Sequence, residues 1–435
     1  MRQIIGSLIV LASMIACNQK VQKNEVDNDG PTKAEIRQVG DNYQLFVNDE
    51  PFFINGAGLE YGDISKLAEH GGNSFRTWST GNRKRSGKET LDEAQKHGLY
   101  VTMGLHVASE RHGFDYNDKA AVAMQLERIK SDVMELKDHP ALIIWAIGNE
   151  LNLNAANPNV WDAVNDISKM IHEIDPNHLT TSPLAGISKE LISNIKDRAY
   201  DLDVLSVQLY ADIVNLPKYI KETGWDGPYM VTEWGATGHW EVALTEWKAP
   251  IENNSTVKAN YCMERYRTAI APEIDQCIGS YVFLWGQKQE RTPTWYGIFL
   301  EDGSETEAVD VMHYIWNEAW PENRSPQIKS FTLNGQECLD NVKLLAGRRY
   351  DAVCEIEDPE SDSIHYRWDI KPESTDLGVG GDFESTPESL EGLIAGNGEA
   401  VRFTAPEQEG AYRLFIYGND GNGHTAHANI PFYVN

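Results

Sequence analysis

The run Ala141–Glu150, Ala-Leu-Ile-Ile-Trp-Ala-Ile-Gly-Asn-Glu, constrains the fold more than any other stretch. Its body is apolar and rich in isoleucine. Such a run reads as a strand buried on both faces, as in a parallel sheet. It stops abruptly at Gly148, Asn149 and Glu150. A carboxylate at the end of a doubly buried strand is costly to hide without a partner or a task. In a (β/α)8 barrel, that edge is where active sites are built. Glu150 is therefore the first candidate for a catalytic group, the plainer alternative being a helix cap or an ion pair with an arginine.

A second run, Tyr229–Gly235, is again short, apolar and closed by a carboxylate, Glu233. The distance between the two leaves room for two strand–helix units. They would then end the fourth and seventh strands of one barrel. Cleavage of a glycosidic bond with retention needs two carboxyl groups roughly 5–5.5 Å apart, one a nucleophile and one an acid/base. Strand ends facing each other across a barrel mouth can supply that pair.

Asn149-Glu150 after one apolar strand and Glu233 after a later one resemble the large clan of retaining β-glycosidases that includes families 2 and 5. The resemblance spans most of residues 35–320. It implies that Glu150 is the acid/base and Glu233 the nucleophile. It implies that Asn149 bonds a sugar 2-hydroxyl, that Arg76 steadies the nucleophile, and that Trp285 floors the sugar site. Tyr210 and His106 also stand at strand ends. Tyr210 is either a donor to Glu233 or a core tyrosine, and His106 either a sugar contact or a wall residue. Trp78, Trp234, Trp240 and Trp295 are further stacking candidates. The loop Glu110–Tyr116 lies at the level of the cleft. That loop, with a C-terminal domain in place of two preceding β-domains, is most similar to the family 158 endo-β-1,3-glucanases, implying a laminarin-like substrate. Exo-acting galactosidase or mannosidase chemistry, β-1,4-mannan or glucan cleavage, transglycosylation and non-catalytic glycan capture are the alternatives.

The remaining elements fit the barrel. Strands are expected near 52–57, 74–78, 100–106, 179–185, 204–210 and 279–286. Helical stripes fall at 64–70, 90–97, 122–136, 160–171, 257–270 and 307–319. A hairpin turning at Asn48–Pro51 leads in. The barrel is expected over residues 34–321, followed by the linker Pro321–Pro326. From 326 to 435 helical patterns vanish, and short strands alternate with Gly, Pro, Asp and Asn turns. That predicts an immunoglobulin-like β-sandwich, serving as a spacer or as a sugar-binding module. Its acidic turns, Glu357–Asp362 and Asn419–Asp420, carry ligand types that calcium takes, as any exposed turn does. No metal or cofactor is called for.

The chain of 435 residues has a formal net charge of −28. This argues against nucleic acid and anionic lipid as partners and favours a neutral or cationic glycan as the substrate of a monomeric enzyme. Residues 1–17 have a basic start, an apolar core and Met14-Ile-Ala-Cys17, and resemble a lipoprotein signal. Cys17 would then be acylated, residues 18–33 would be a flexible tether, and the protein would sit at the cell envelope. Local pairing of Cys262 with Cys277 and of Cys338 with Cys354 is plausible in an exported chain.

Overall fold

The computed structural model describes residues 30–435. The proposed signal and Cys17 lie outside them. Residues 30–33 are not a free tether: Thr32 is fully buried and its hydroxyl donates to Pro140 O at 2.6 Å.

Three short strands open the fold, β1 (Ala34–Val39), β2 (Asn42–Val47) and β3 (Glu50–Phe52), paired antiparallel. The turn between β2 and β3 places Asn48 and Asp49 at φ of +51° and +67°. Both residue types tolerate this left-handed conformation, which suits the strand twist of a tight hairpin. Ala34, Leu45 and Val47 pack on Ile54, Tyr100, Ile143, Leu179 and Val204, residues near the beginnings of barrel strands. The small sheet thus plugs the N-terminal end of the barrel.

Eight strands close that barrel: β4 (Ile54–Gly58), β5 (Ser74–Arg76), β6 (Tyr100–Leu105), β7 (Leu142–Ile147), β8 (Leu179–Ala185), β9 (Val204–Gln208), β10 (Tyr229–Gly235) and β11 (Cys277–Phe283). All their pairings are parallel. Each run expected from sequence becomes a strand, with bounds moved by a few residues. The helices are α1 (Ile64–Glu69), α2 (Gly87–Lys96), α3 (Lys119–Leu136), α4 (Asn159–Ile174), α5 (Lys189–Arg198), α6 (Leu216–Thr223), α7 (Ser255–Arg265) and α8 (Glu307–Asn317). The pattern reading passed over α5 and α6. The signal for α5 is Ser188, which caps Leu191 N, followed by buried Ile192 and Ile195.

The C-terminal region forms two four-stranded sheets around one apolar core of Leu333, Ile370, Phe403, Leu414 and Phe432. One holds β12 (Gln327–Leu333), β14 (Arg349–Glu357), β16 (Ile394–Ala395) and β17 (Ala400–Thr404). The other holds β13 (Lys343–Leu344), β15 (His365–Pro372), β18 (Gly410–Asn419) and β19 (Thr425–Val434). The β13–β19 pair is parallel. The four cysteines among the described residues, Cys262, Cys277, Cys338 and Cys354, are free thiols rather than two disulfides. Cys262 on α7 and Cys277 opening β11 are buried, which pushes their thiols up to about 11 and about 12. Carboxylate oxygens of Asp358, Asp362 and Asp420 lie within 4.8 Å of one another. Those of Asp420 already accept from Asn323, Asn422 and the His424 amide.

The small domain is latched to the barrel by buried polar contacts. Arg413, almost fully buried, donates to Pro250 O at 2.9 Å and to Asn429 Oδ1 at 2.7 Å. Asn429 in turn donates to Glu252 of the barrel at 2.6 Å. Near the linker, burial pushes Asp310 up to about 8 and Glu307 up to about 7. A carboxyl raised in the fold stabilises it below the ordinary carboxylate range and loses that contribution as pH climbs through the raised value. The thermal midpoint is therefore expected to fall between pH 5 and pH 9. Asp310→Asn keeps an acceptor for Ser325 N. It should flatten the fall and raise the midpoint at pH 9 by about 2 °C or more. Differential scanning calorimetry across pH checks this.

Candidate active site

The C-terminal ends of the strands surround a cavity of about 320 Å³ that both candidate carboxylates line. Four donors converge on Glu233, which ends the apolar part of β10 and is buried. Arg76 Nη1, Trp78 Nε1 and Gln208 Nε2 donate to its Oε1 at 3.1, 3.0 and 3.1 Å. Tyr210 Oη donates to its Oε2 at 3.0 Å. This arrangement suits a carboxylate that accepts hydrogen bonds and attacks, rather than one that gives up a proton.

Arg76 has no exposed surface, and burial works against its charge while Glu233 favours it. Its Nη2 donates to Asn149 Oδ1 at 2.8 Å, and Gln208 Nε2 reaches the same oxygen at 2.8 Å. With the Asn149 oxygen doubly occupied, its amide nitrogen, which has no protein acceptor among the described residues, is left for a ligand. The side-chain order of Asn149 is thus set by its neighbours.

Glu150 follows Gly148 and Asn149 at the end of β7. Gly148 has φ of +71° and Glu150 φ of +50°. A glutamate in the left-handed region stores strain of about 1–3 kcal/mol, which is tolerated where surroundings fix it. Here the Glu150 amide donates to Pro183 O at 2.9 Å. Burial, and next the negative charge of Glu233, push the Glu150 carboxyl up to about 8, against the pull of Arg111 and Arg76. The surroundings thus differ for the two carboxyls: burial and a like charge raise Glu150, while four donors surround Glu233.

The aromatic wall differs from the expected one. Trp285 does not reach the cavity: it is fully buried, donates from Nε1 to Asp63 O at 3.1 Å, and packs on Phe299 and Trp316. β11 ends at Phe283, so the alternation of a strand no longer aims residue 285 at the barrel mouth. Phe283 and Leu284 line the cavity instead, with Trp78, Tyr210 and Trp240. Trp234 and Trp295 are core residues. His106 lines the cavity with an exposed side chain. Glu241 fixes the loop bearing Trp240 by accepting from the amides of Gly238, Ala211 and Asp212 at 2.8, 2.9 and 3.1 Å.

Sequence reasoning missed Gln208, although a glutamine inside an apolar strand was a readable signal. It also missed Lys288 and Glu290, and it missed that Gly380, Gly381 and Asp382 of the small domain join the cavity wall. The loop Glu110–Tyr116 does reach the cavity, through Arg111 and His112.

Residues 59–290 match the glycosyl hydrolases family 2, TIM barrel domain. The chain belongs to glycosyl hydrolase family 2. As a family 2 barrel it shares its fold with β-glucuronidase 2 of Bacteroides uniformis, with a TM-score of 0.52 and 14% identity over 92% of this chain and 48% of that one. The β-D-glucuronidase of Dictyoglomus thermophilum follows at 0.50 and 18%, over 66% of this chain and 54% of that one. The β-glucuronidase of Bifidobacterium dentium gives 0.50 and 19%, over 65% and 49%. This family 2 chain spans about half the length of those proteins. No curated protein matches it in sequence.

Proposed function

We propose that this family 2 barrel hydrolyses β-glycosidic bonds of a neutral glycan with retention of configuration. The observation that carries the reading is one cavity lined by both carboxyls, in which Glu233 gathers four donors while burial and the Glu233 charge push Glu150 up to about 8. In the first step a Glu233 oxygen bonds to the anomeric carbon as the bond to the leaving oxygen breaks. Glu150 gives its proton to that oxygen. The new ester cancels the charge of Glu233, so the Glu150 carboxyl no longer faces a like charge and can act as a base. It then takes a proton from water, whose oxygen attacks the anomeric carbon and frees Glu233. In this reading Asn149, whose oxygen is taken by Arg76 and Gln208, donates from its amide nitrogen to the 2-hydroxyl. No cofactor enters these steps.

Charge supports a neutral substrate. The lining carries Glu60, Glu150, Glu233, Glu290 and Asp382 against Arg111 and Lys288. Lys288 Nζ is already bonded to Glu290 at 3.0 Å, and Arg111 stands between Glu150 and Asp382. A uronate would have to displace one of these carboxylates. The β-glucuronidase activity of the structural neighbours is therefore not carried over. Stacking on Trp78, Phe283 and Trp240 suits the C–H face of a pyranose.

The finer proposal is an endo-acting β-1,3-glucanase, supported by the Glu110–Tyr116 loop, which reaches the cavity through Arg111 and His112. A second reading, exo-action such as that of a β-galactosidase, is favoured by the small-domain residues Gly380–Asp382, which wall one side of the cavity. Incubation with laminarin, lichenan, mannan, xylan, galactan and aryl β-glycosides, with product lengths and anomeric proton signals followed, tests both. Laminarin cut to mixed oligosaccharides with the β-anomer formed first is the expected result. Monosaccharide release alone would favour exo-action, and an α-anomer formed first would overturn retention. A lipid on Cys17 is the proposed route to the cell envelope, and mass spectrometry of the mature N-terminus checks it.

A further inference from the structure

The loop between β15 and β16 belongs to the small domain, yet it reaches the cavity under tight geometric constraint. Gly380 and Gly381 have φ of +60° and +78°. A Cβ on Gly380 would lie 2.4 Å from Arg111 Nη1, and one on Gly381 2.9 Å from Lys288 Nζ. Glycine allows both the backbone conformation and the approach. Both carbonyls are used: Arg111 Nη2 donates to Gly380 O at 3.3 Å, and Lys288 Nζ to Gly381 O at 2.7 Å. Asp382 completes the contact, its carboxylate 3.7 Å from Arg111 Nη2 and 3.2 Å from His112 Nε2. On the opposite side Arg111 Nη1 stands 3.9 Å from Glu150 Oε2, and it has no hydrogen-bond partner among the described residues. One guanidinium is thus shared between a barrel carboxyl and a carboxylate from the other domain.

We propose that Asp382 is a positioning residue of the active site: by holding Arg111 through the small-domain loop, it keeps the guanidinium from closing onto Glu150 and so preserves Glu150 as a proton donor. The proposal rests on the acid/base reading of Glu150. Glu233, Arg111, Arg76 and Glu290 are the charged groups that act on Glu150. Arg76 is committed to Glu233, and Glu290 to Lys288. Arg111 is therefore the cation free to move between partners, with His112 beside it, 3.4 Å from its Nε. A cation drawn onto a carboxyl favours the ionised form. Loss of the Asp382 charge would hand Arg111 to Glu150.

The test is the pH dependence of kcat/KM for the full chain on an aryl β-glycoside that the wild type cleaves. It compares wild type, Asp382→Asn, Asp382→Glu and Arg111→Met. The Asp382 side chain is 40% exposed, so asparagine fits without repacking. The high-pH limb should move down by about 0.5 pH or more in Asp382→Asn, on the scale of one partly screened charge at this range. It should move up in Arg111→Met and return to its wild-type place in Asp382→Glu. An unmoved limb in Asp382→Asn overturns the proposal, whatever Arg111→Met does. A limb that survives in Glu150→Ala would instead strike the acid/base reading itself, which keeps the two failures apart.

Discussion

Glu233→Gln is expected to lower turnover of the glycan by about 10,000-fold or more, since it replaces the attacking carboxylate by a neutral, weakly nucleophilic amide. The amide keeps the shape of the carboxylate: its oxygen still accepts from Arg76, Trp78 and Gln208, and its NH2 donates to the Tyr210 hydroxyl. The fold should therefore survive, as circular dichroism would show. Glu233→Ala opens a space where azide fits. Azide entering there attacks from the nucleophile's face, inverts the anomeric centre once, and yields an α-glycosyl azide from a β-linked aryl substrate. The anomeric coupling constant in the product's proton spectrum reads this directly. Retention of activity within tenfold of wild type in Glu233→Gln would remove Glu233 from the nucleophile's role.

Glu150→Ala should divide substrates by leaving group. Unactivated glycans, whose leaving oxygen needs a proton, should lose about 1,000-fold. A dinitrophenyl glycoside needs no proton, so its first step should proceed and the glycosyl-enzyme should accumulate. Azide then attacks that intermediate, two inversions occur, and the product is a β-glycosyl azide, opposite to that from Glu233→Ala. The wild-type pH profile carries the same assignment. Burial and the Glu233 charge push the Glu150 carboxyl up to about 8. Its acid form is present below that value, so kcat/KM should fall as pH rises through about 8, and the fall should vanish in Glu150→Ala on the activated substrate. The stability sign is parallel: the folded state prefers the proton, and this contribution is lost as pH rises through the same value. Equal losses on activated and unactivated substrates would sink the acid/base assignment.

The barrel was legible because its strands are buried on both faces, which leaves uninterrupted apolar runs such as Leu142–Ile147 and Tyr229–Val231. Glu150, Glu233, Asn149, Arg76 and Tyr210 were legible because each interrupts or ends such a run; the structure joins the last four in one hydrogen-bond network and places Glu150 in the cavity wall with Glu233. Trp285 misled because strand alternation holds only while the strand lasts, and β11 stops at Phe283. The helices α5 and α6 are short, with few buried positions from which to read a period. The pairing of cysteines failed because closeness in sequence places Cys262 on a helix and Cys277 on a strand. The meeting of Arg111 with Asp382 depends on how two domains dock, and no local pattern encodes that.

The plug made by β1–β3 has a bearing on traffic. With the far end of the barrel stoppered, the sugar, the departing fragment and the attacking water of the proposed reaction would share one doorway. Water would then reach the anomeric carbon only as the aglycone vacates its place. A crowded solution of short oligosaccharides would therefore compete with water at the threshold, and chain lengthening should rise as digestion products build up.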